Sequence, residues 1–397
     1  MKKRLIVPIL ATALCVCATV GCATGKDDKK PEPVDQGGLN VYPVSSYRDT
    51  QGIYMGDVMP FYDNGVMNIY HLQDKVGSLY MFYHPISRLT TTDYLHYNDE
   101  GVALNFEEDI KSPDAALGTG SFIKDAATGK YHCFYTGHGA SREDVAPDPL
   151  EVVRHATSDD QIEWTKDEEF KLKGNSGQSN LNDDFRDPYV YYDSDDSTYY
   201  MLVTARDKVN GVEQGVIKYY ASASLDAAAS EWVYKGIFYQ NDAGTYNMEC
   251  PSYIELNGYY YLAFSEQGSE RVTRYRYRTS KDGEWQKFDR DTIDGAGFYA
   301  GRLEKADDKL YAFAWCAKLT QADYGDFDWG GNLVAHEIVR SESGELTAVM
   351  VSAVKEALKT KVDYRPVSGG SVGTLTFEED KFSATGFDAL SGNATRM

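Results

Sequence analysis

Three acidic residues, far apart along the chain, share one local setting. Asp57 lies in Gly56-Asp57-Val58-Met59-Pro60, Asp187 in Phe185-Arg186-Asp187-Pro188-Tyr189, and Glu249 in Met248-Glu249-Cys250-Pro251. Each stands at the mouth of an aromatic or β-branched run of the kind that forms strands, although Asp and Pro are themselves poor strand formers. Acids at the starts of three separate strands suggest one site assembled from several sheets. Two carboxyls facing one bond can do acid and nucleophile chemistry. Hydrolysis of a glycosidic linkage needs one to protonate the leaving oxygen and another to attack carbon or activate water. The three differ in the required sense. Glu249 lies between Met248 and Cys250, an apolar setting that suits the neutral acid. Glu is also the longer side chain, with reach to a leaving oxygen. Asp57 follows Gly56, where the backbone can approach a ligand closely. Arg186 beside Asp187 is expected to hold that carboxylate low and anionic, able to accept hydrogen bonds from sugar hydroxyls.

The elements that must position these acids are strands. The chain has 31 Tyr and 35 Gly against only 12 Pro among its 397 residues. That balance points to many short aromatic strands joined by tight turns. One pattern recurs: Leu79–Tyr83, Tyr131–Tyr135, Tyr199–Val203, Tyr259–Phe264 and Leu310–Trp315, each after a short polar turn such as Asn257-Gly258. Turns of this chemistry connect hairpins. The copies recur roughly every 50 to 70 residues, near the upper end of propeller blade repeats. The expected fold is all-β, a five-bladed β-propeller over 42–345, whose radial symmetry leaves a central channel. Asp57, Asp187 and Glu249 then start the inner strands of blades one, three and four. A β-sandwich is the competing architecture. Asn332–Val339 reads as a closing strand, and Val351–Lys361 has helical spacing. Residues 346–397 are expected to be a linker and the start of a further β-module, too short to bury a core alone.

The formal net charge of -21 excludes nucleic acid and anionic membrane surfaces as partners. A neutral carbohydrate is the natural ligand. Residues 1–22 read as a targeting segment, with basic Lys2-Lys3-Arg4 followed by an apolar stretch too short for a typical span. Thr19-Val20-Gly21-Cys22 resembles a bacterial lipobox, which implies lipidation at Cys22 and attachment in the cell envelope at the outer membrane, and Lys26-Asp27-Asp28 resembles a lipoprotein surface-export signal, which implies exposure on the surface. Residues 23–41 read as a flexible tether. Cys133, Cys250 and Cys316 lack metal-ligand spacing, and the histidines show none either. Asp193, Asp195 and Asp196 read as a solvated hairpin tip rather than a cation site. Trp315 reads as core, with a sugar-stacking floor as the alternative.

Taken together, the motifs resemble glycoside hydrolase family 32, the β-fructofuranosidases, within the propeller superfamily shared with family 43. Arg186-Asp187-Pro188 is similar to the family's RDP motif and Glu249-Cys250 to its EC motif; Gly120-Ser121 resembles its S-G-S segment and Phe298-Tyr299-Ala300 its F-Y-A segment. The first motif departs. The family has Trp-Met-Asn-Asp-Pro-Asn-Gly where this chain has Tyr54-Met55-Gly56-Asp57-Val58-Met59-Pro60. The resemblance implies a retaining double displacement on sucrose or fructan, without cofactor or metal. Asp57 is then the nucleophile, Glu249 the acid/base and Asp187 the transition-state stabiliser, with Arg186, Ser121, Cys250 and Tyr299 contacting substrate. An inverting family 43-like enzyme on arabinan or xylan, and a silent glycan-binding lipoprotein, are the alternatives.

Overall fold

A computed structural model describes residues 53–75, 84–109, 111–139, 149–177, 181–241, 244–267, 271–319, 327–358, 374–378 and 381–385. Its strands fall into five blades. Blade one is β1 (Ile53–Asp63), β2 (Val66–Lys75), β3 (Ile86–Thr91) and β4 (Asn98–Leu104). Blade two is β5 (Ala116–Lys124), β6 (Tyr131–His138), β7 (Glu151–Ser158) and β8 (Thr165–Leu172). Blade three is β9 (Phe185–Asp193), β10 (Thr198–Val209), β11 (Val212–Ser222) and β12 (Val233–Gln240). Blade four has β13 (Met248–Leu256), β14 (Tyr259–Glu266) and β15 (Val272–Arg278), and single bridges at Thr292 and Gln286 take the place of its outer strand. Blade five is β16 (Phe298–Ala306), β17 (Lys309–Leu319), β18 (Phe327–Arg340) and β19 (Leu346–Met350). All strands within a blade pair antiparallel with their neighbours.

The inner strands close a ring: β1 touches β5, β5 touches β9, β9 touches β13, β13 touches β16, and β16 returns to β1. A single pair, Met55 with Gly331, joins blade five to blade one. Five apolar clusters fill the five seams between adjacent blades. Between blades two and three, for example, Phe134, Val153 and Phe170 meet Val190, Met201 and Val203. A sandwich has two faces and one core, so this ring of seams excludes it.

Four of the five recurrent aromatic segments are the second strands of blades two to five, in β6, β10, β14 and β17. Leu79–Tyr83 lies outside the described residues, and the second strand of blade one is β2, entered through Asn64-Gly65. Both turn residues have positive φ, which Asn and Gly tolerate. The expected boundary at 345 also falls one strand early, because β19 pairs with β18 and completes blade five. The helix after it, α1 (Ser352–Ala357), is short and sends Val354 into the seam between blades five and one. The hairpin of β20 (Thr374–Glu378) and β21 (Lys381–Thr385) follows.

One irregularity repeats in every blade. Each inner strand bulges near its start, where its register against the second strand shifts: at Gly56/Val58, Gly118/Gly120, Arg186/Tyr189, Glu249/Ser252 and Tyr299/Arg302. In the last three the first skipped residue is left-handed, with φ of 57° at Asp187, 52° at Cys250 and 53° at Ala300. Bulges re-aim side chains at the cost of ladder bonds. Hydroxyls take over some of the freed backbone. Thr136 of β6 accepts the Asp187 N–H at 2.9 Å, Thr204 of β10 donates to the Met248 carbonyl at 2.9 Å, and Thr273 of β15 donates to the Phe298 carbonyl at 3.0 Å.

Candidate active site

Where the bulges meet, the ring opens into a cavity of about 430 Å³, and Asp57, Asp187 and Glu249 all line it. Asp57 sits in the β1 bulge. Trp315 Nε1 donates to its Oδ1 at 3.0 Å and Thr119 Oγ1 to its Oδ2 at 2.7 Å, so two neighbouring blades fix the carboxylate. Trp315 is therefore neither a stacking floor nor plain core packing. It is fully buried, and its indole N–H aims Asp57.

Glu249 ends the regular pairing of β13 before its bulge. Arg186 Nη2 donates to its Oε1 at 2.8 Å, and the Tyr299 hydroxyl makes a very short bond to its Oε2. Burial and the Glu249 carboxylate together push the Tyr299 phenol well above its ordinary value, so it stays a donor. The carboxyl thus stands between a cation and a phenol, not in the apolar setting that Met248 and Cys250 suggested. Met248 packs into the seam between blades three and four, and Cys250, in the bulge, lies against Asp187 and Thr119.

Asp187 is 3% exposed. Its Oδ2 accepts the Cys250 N–H at 2.9 Å and the Thr204 hydroxyl at 3.3 Å. The expectation that Arg186 keeps it strongly acidic does not hold. Burial raises its pKa to about 7, helped by Glu249 and Asp57 and opposed by Arg186. The guanidinium is turned to other acids: Nη1 donates to Glu151 at 3.1 Å and Asp184 at 2.9 Å, while Nη2 serves Glu249. Arg186 still acts on Asp187 through its charge, but its hydrogen bonds go to the other three acids.

Ser121 and Cys250, expected to contact substrate, lie behind the cavity instead. Ser121 is buried and its Oγ accepts the Val190 N–H at 2.9 Å, tying blade two to blade three. Cys250 is buried, burial pushes its thiol well above its usual range, and its contribution to the site is the backbone N–H given to Asp187. Tyr299 is also buried and reaches the site through Glu249. Conversely, Glu151, Asp184, Tyr246, His84 and Trp329 line the cavity and were not singled out. Asp184 was the most legible, being two residues before Asp187; Glu151 and Trp329 come from strands with no motif to mark them. Trp329 stacks on His84 at 4.5 Å and 4°. A Cβ at position 56 would come within 2.2 Å of the Trp329 ring, so only glycine fits there. The ring occupies the space that a side chain at position 56 would need, and the family motif has Asn at that position. Among the described residues no cluster suited to a metal occurs.

Residues 59–347 match the glycosyl hydrolases family 32 N-terminal domain. The chain belongs to family 32. It is 28% identical over 222 residues to a sucrose-6-phosphate hydrolase of Vibrio alginolyticus, covering 55% of this chain and 40% of that one. It is 26% identical over 282 residues to a levanbiose-producing levanase of Geobacillus stearothermophilus, covering 64% of each. The chain thus spans less than two thirds of the length of these curated relatives. Among solved structures, a sucrose-6-phosphate hydrolase from Lactobacillus gasseri superposes with a TM-score of 0.61 at 20% identity, over 81% of this chain and 66% of that one. A Bombyx mori family 32 β-fructofuranosidase gives 0.59 at 20% identity, over 79% and 68%. These structural likenesses concern the family 32 fold.

Proposed function

We propose that this chain hydrolyses fructosyl linkages by a retaining double displacement. The observation that carries the reading is the convergence of Asp57, Asp187 and Glu249 on one cavity, each carboxyl held by different donors. Asp57 attacks the anomeric carbon while Glu249 gives a proton to the departing oxygen. Glu249 then takes a proton from the water that cleaves the fructosyl–Asp57 ester. Asp187 hydrogen-bonds sugar hydroxyls as the ring flattens toward its cationic transition state. The names of the relatives, a levanase and sucrose-6-phosphate hydrolases, support the substrate class.

Between the two substrate types those names offer, the electrostatics favour an unphosphorylated sugar. The described lining carries Asp57, Glu151, Asp184, Asp187 and Glu249, and its one arginine, Arg186, is already bound by three of these acids. A phosphate brought into that field meets repulsion. The test is a panel of sucrose, sucrose 6-phosphate, levan, inulin and an aryl arabinofuranoside, with the anomer of each product followed by NMR. Cleavage of a neutral fructoside with retained configuration is expected. Inversion, or a preference for the arabinofuranoside, would move the chain to a family 43-like chemistry. The Gly56 and Trp329 arrangement favours one other reading, a propeller that binds glycan without turnover; binding with no product from any substrate would establish that instead.

We also propose that the chain is anchored in the bacterial cell envelope through a lipid on Cys22, as the lipobox-like Thr19–Cys22 supports. Labelling with a radioactive fatty acid is expected in the natural chain and absent from Cys22→Ala.

A further inference from the structure

The inner strands run past their bulges to the opposite end of the ring, and there they open a second cavity of about 450 Å³. Its wall is built from the distal half of β9, the middle of β13, the start of β14 and the end of β16. Along β9 its lining starts at Tyr189, two residues beyond Asp187, and ends at Asp193, about 20 Å from that acid.

Its lining is aromatic, and the rings are spaced in a row. Tyr191 and Tyr253 have centroids 5.0 Å apart, and Tyr253 and Tyr260 lie 6.2 Å apart and nearly parallel. Tyr192, at the rim, is 49% exposed. Four acids and two lysines line it, and the lysines bridge three of the acids. Lys281 bonds Asp193 and Asp195 at 2.5 Å each, and Lys305 lies 3.8 Å from Glu255. Glu304 projects among them and accepts the Tyr62 N–H at 2.9 Å. Loss of hydration raises its pKa to about 8, so near neutrality it offers both an O–H donor and an acceptor.

We propose that this cavity is a second glycan-binding site, which holds a stretch of neutral polysaccharide away from the catalytic cavity. Sugar rings present flat C–H faces and hydroxyl edges. The tyrosine faces receive the former, and the phenols and Glu304 hydrogen-bond the latter. The acids of the lining outnumber its two lysines, and a chain of net charge -21 likewise repels polyanions, which leaves a neutral polymer as the ligand. The volume lies within the roughly 300–1,000 Å³ of ligand cavities. The inference rests on the proposed function only in the choice of polymer.

The test uses the full chain with Glu249→Gln, so that binding is read without turnover. Native electrophoresis through gels containing levan, inulin, arabinan or mannan is expected to retard it in at least one. Tyr260→Ala and Tyr192→Ala are expected to weaken that retention about tenfold. The same substitutions in the active chain leave kcat/KM on sucrose unchanged. Hydroxyl-radical labelling of the unsubstituted chain guards against misfolded variants: the retarding polymer should protect Tyr192 and Tyr260. Equal retention in parent and variants, no retention in any gel, or no protection of these tyrosines overturns the proposal. Retention that depends on the tyrosines in a chain that cleaves no fructoside would sink the proposed function and leave this site standing.

Discussion

The two ends of the inner strands differ although β9 and β13 run from one to the other. At the start of each strand the ladder is interrupted, three backbones turn left-handed, and carboxyls gather around one guanidinium. Toward the far end the pairing is regular, lysines bridge most of the acids, and tyrosines line the opening. Regular pairing sends alternate side chains to fixed faces, so it can line a groove but cannot crowd acids onto one point. The bulges break that alternation and bring like charges together. The burial that raises Asp187 to about 7 is the cost of that crowding. The difference teaches that strain in this ring is concentrated where chemistry is proposed, and order where binding is.

The largest effect should come from the crowded end. Glu249→Ala is expected to lower kcat by roughly 10²–10⁴-fold, the range of a lost general acid. Asp57→Ala should do at least as much, since no other carboxylate is held by Trp315 and Thr119. Circular dichroism melts near those of the parent would show that chemistry, not folding, was lost. A small decrease for either variant would mean that the crowding serves something other than catalysis.

A smaller effect is expected at Gly56. Gly56→Asn puts back the residue of the family motif but drives a side chain into Trp329, whose ring lies 2.2 Å from the required Cβ. Displacing the neighbouring Asp57 by about 1 Å should cost on the order of 10²-fold in kcat/KM. Adding Trp329→Ala makes room and should recover part of that loss. Additive losses in the double variant would show that the two residues are not coupled.

The smallest effect concerns stability and sets the ends against each other directly. Both Asp187 and Glu304 have folded pKa values above their unfolded ones, about 7 and about 8. The folded state holds these protons more tightly, so the stability they contribute is complete below the unfolded values and is lost as pH rises through the folded ones. The contribution of these two groups to the melting temperature should fall between about pH 4 and about pH 8. Glu304→Gln keeps an acceptor for the Tyr62 N–H and should flatten the later part of the fall, Asp187→Asn the earlier part. Melting temperatures that change with pH alike in parent and variants would contradict the assignment.

Much of the ring was legible because its repeat is written in turn residues and aromatic runs. Asn257-Gly258 and Tyr259–Phe264 announce a hairpin on their own. β2 was harder to read, because Asn68, His71 and Gln73 break the aromatic run that marks the other second strands. The positions of the acids at the starts of strands could be read from Pro188 and Pro251. Their surroundings could not, because those come from other blades. Trp315 and Tyr299 reach Asp57 and Glu249 from blade five. Nor could sequence foresee that the Arg186 hydrogen bonds would go to Glu151, Asp184 and Glu249, since Glu151 and Glu249 come from other blades. Ser121 and Cys250 resemble family motifs because the ring needs them as braces between blades, which motif position alone does not separate from contact with a ligand.

Closure by Met55 and Gly331 has a temporal consequence. A nascent polypeptide emerging from the ribosome presents Asp57 early, yet one of the two donors that aim it, Trp315, comes 258 residues later. Any truncated or half-synthesised chain carries the acid without its aim, so hydrolytic competence should arrive only with the last blade.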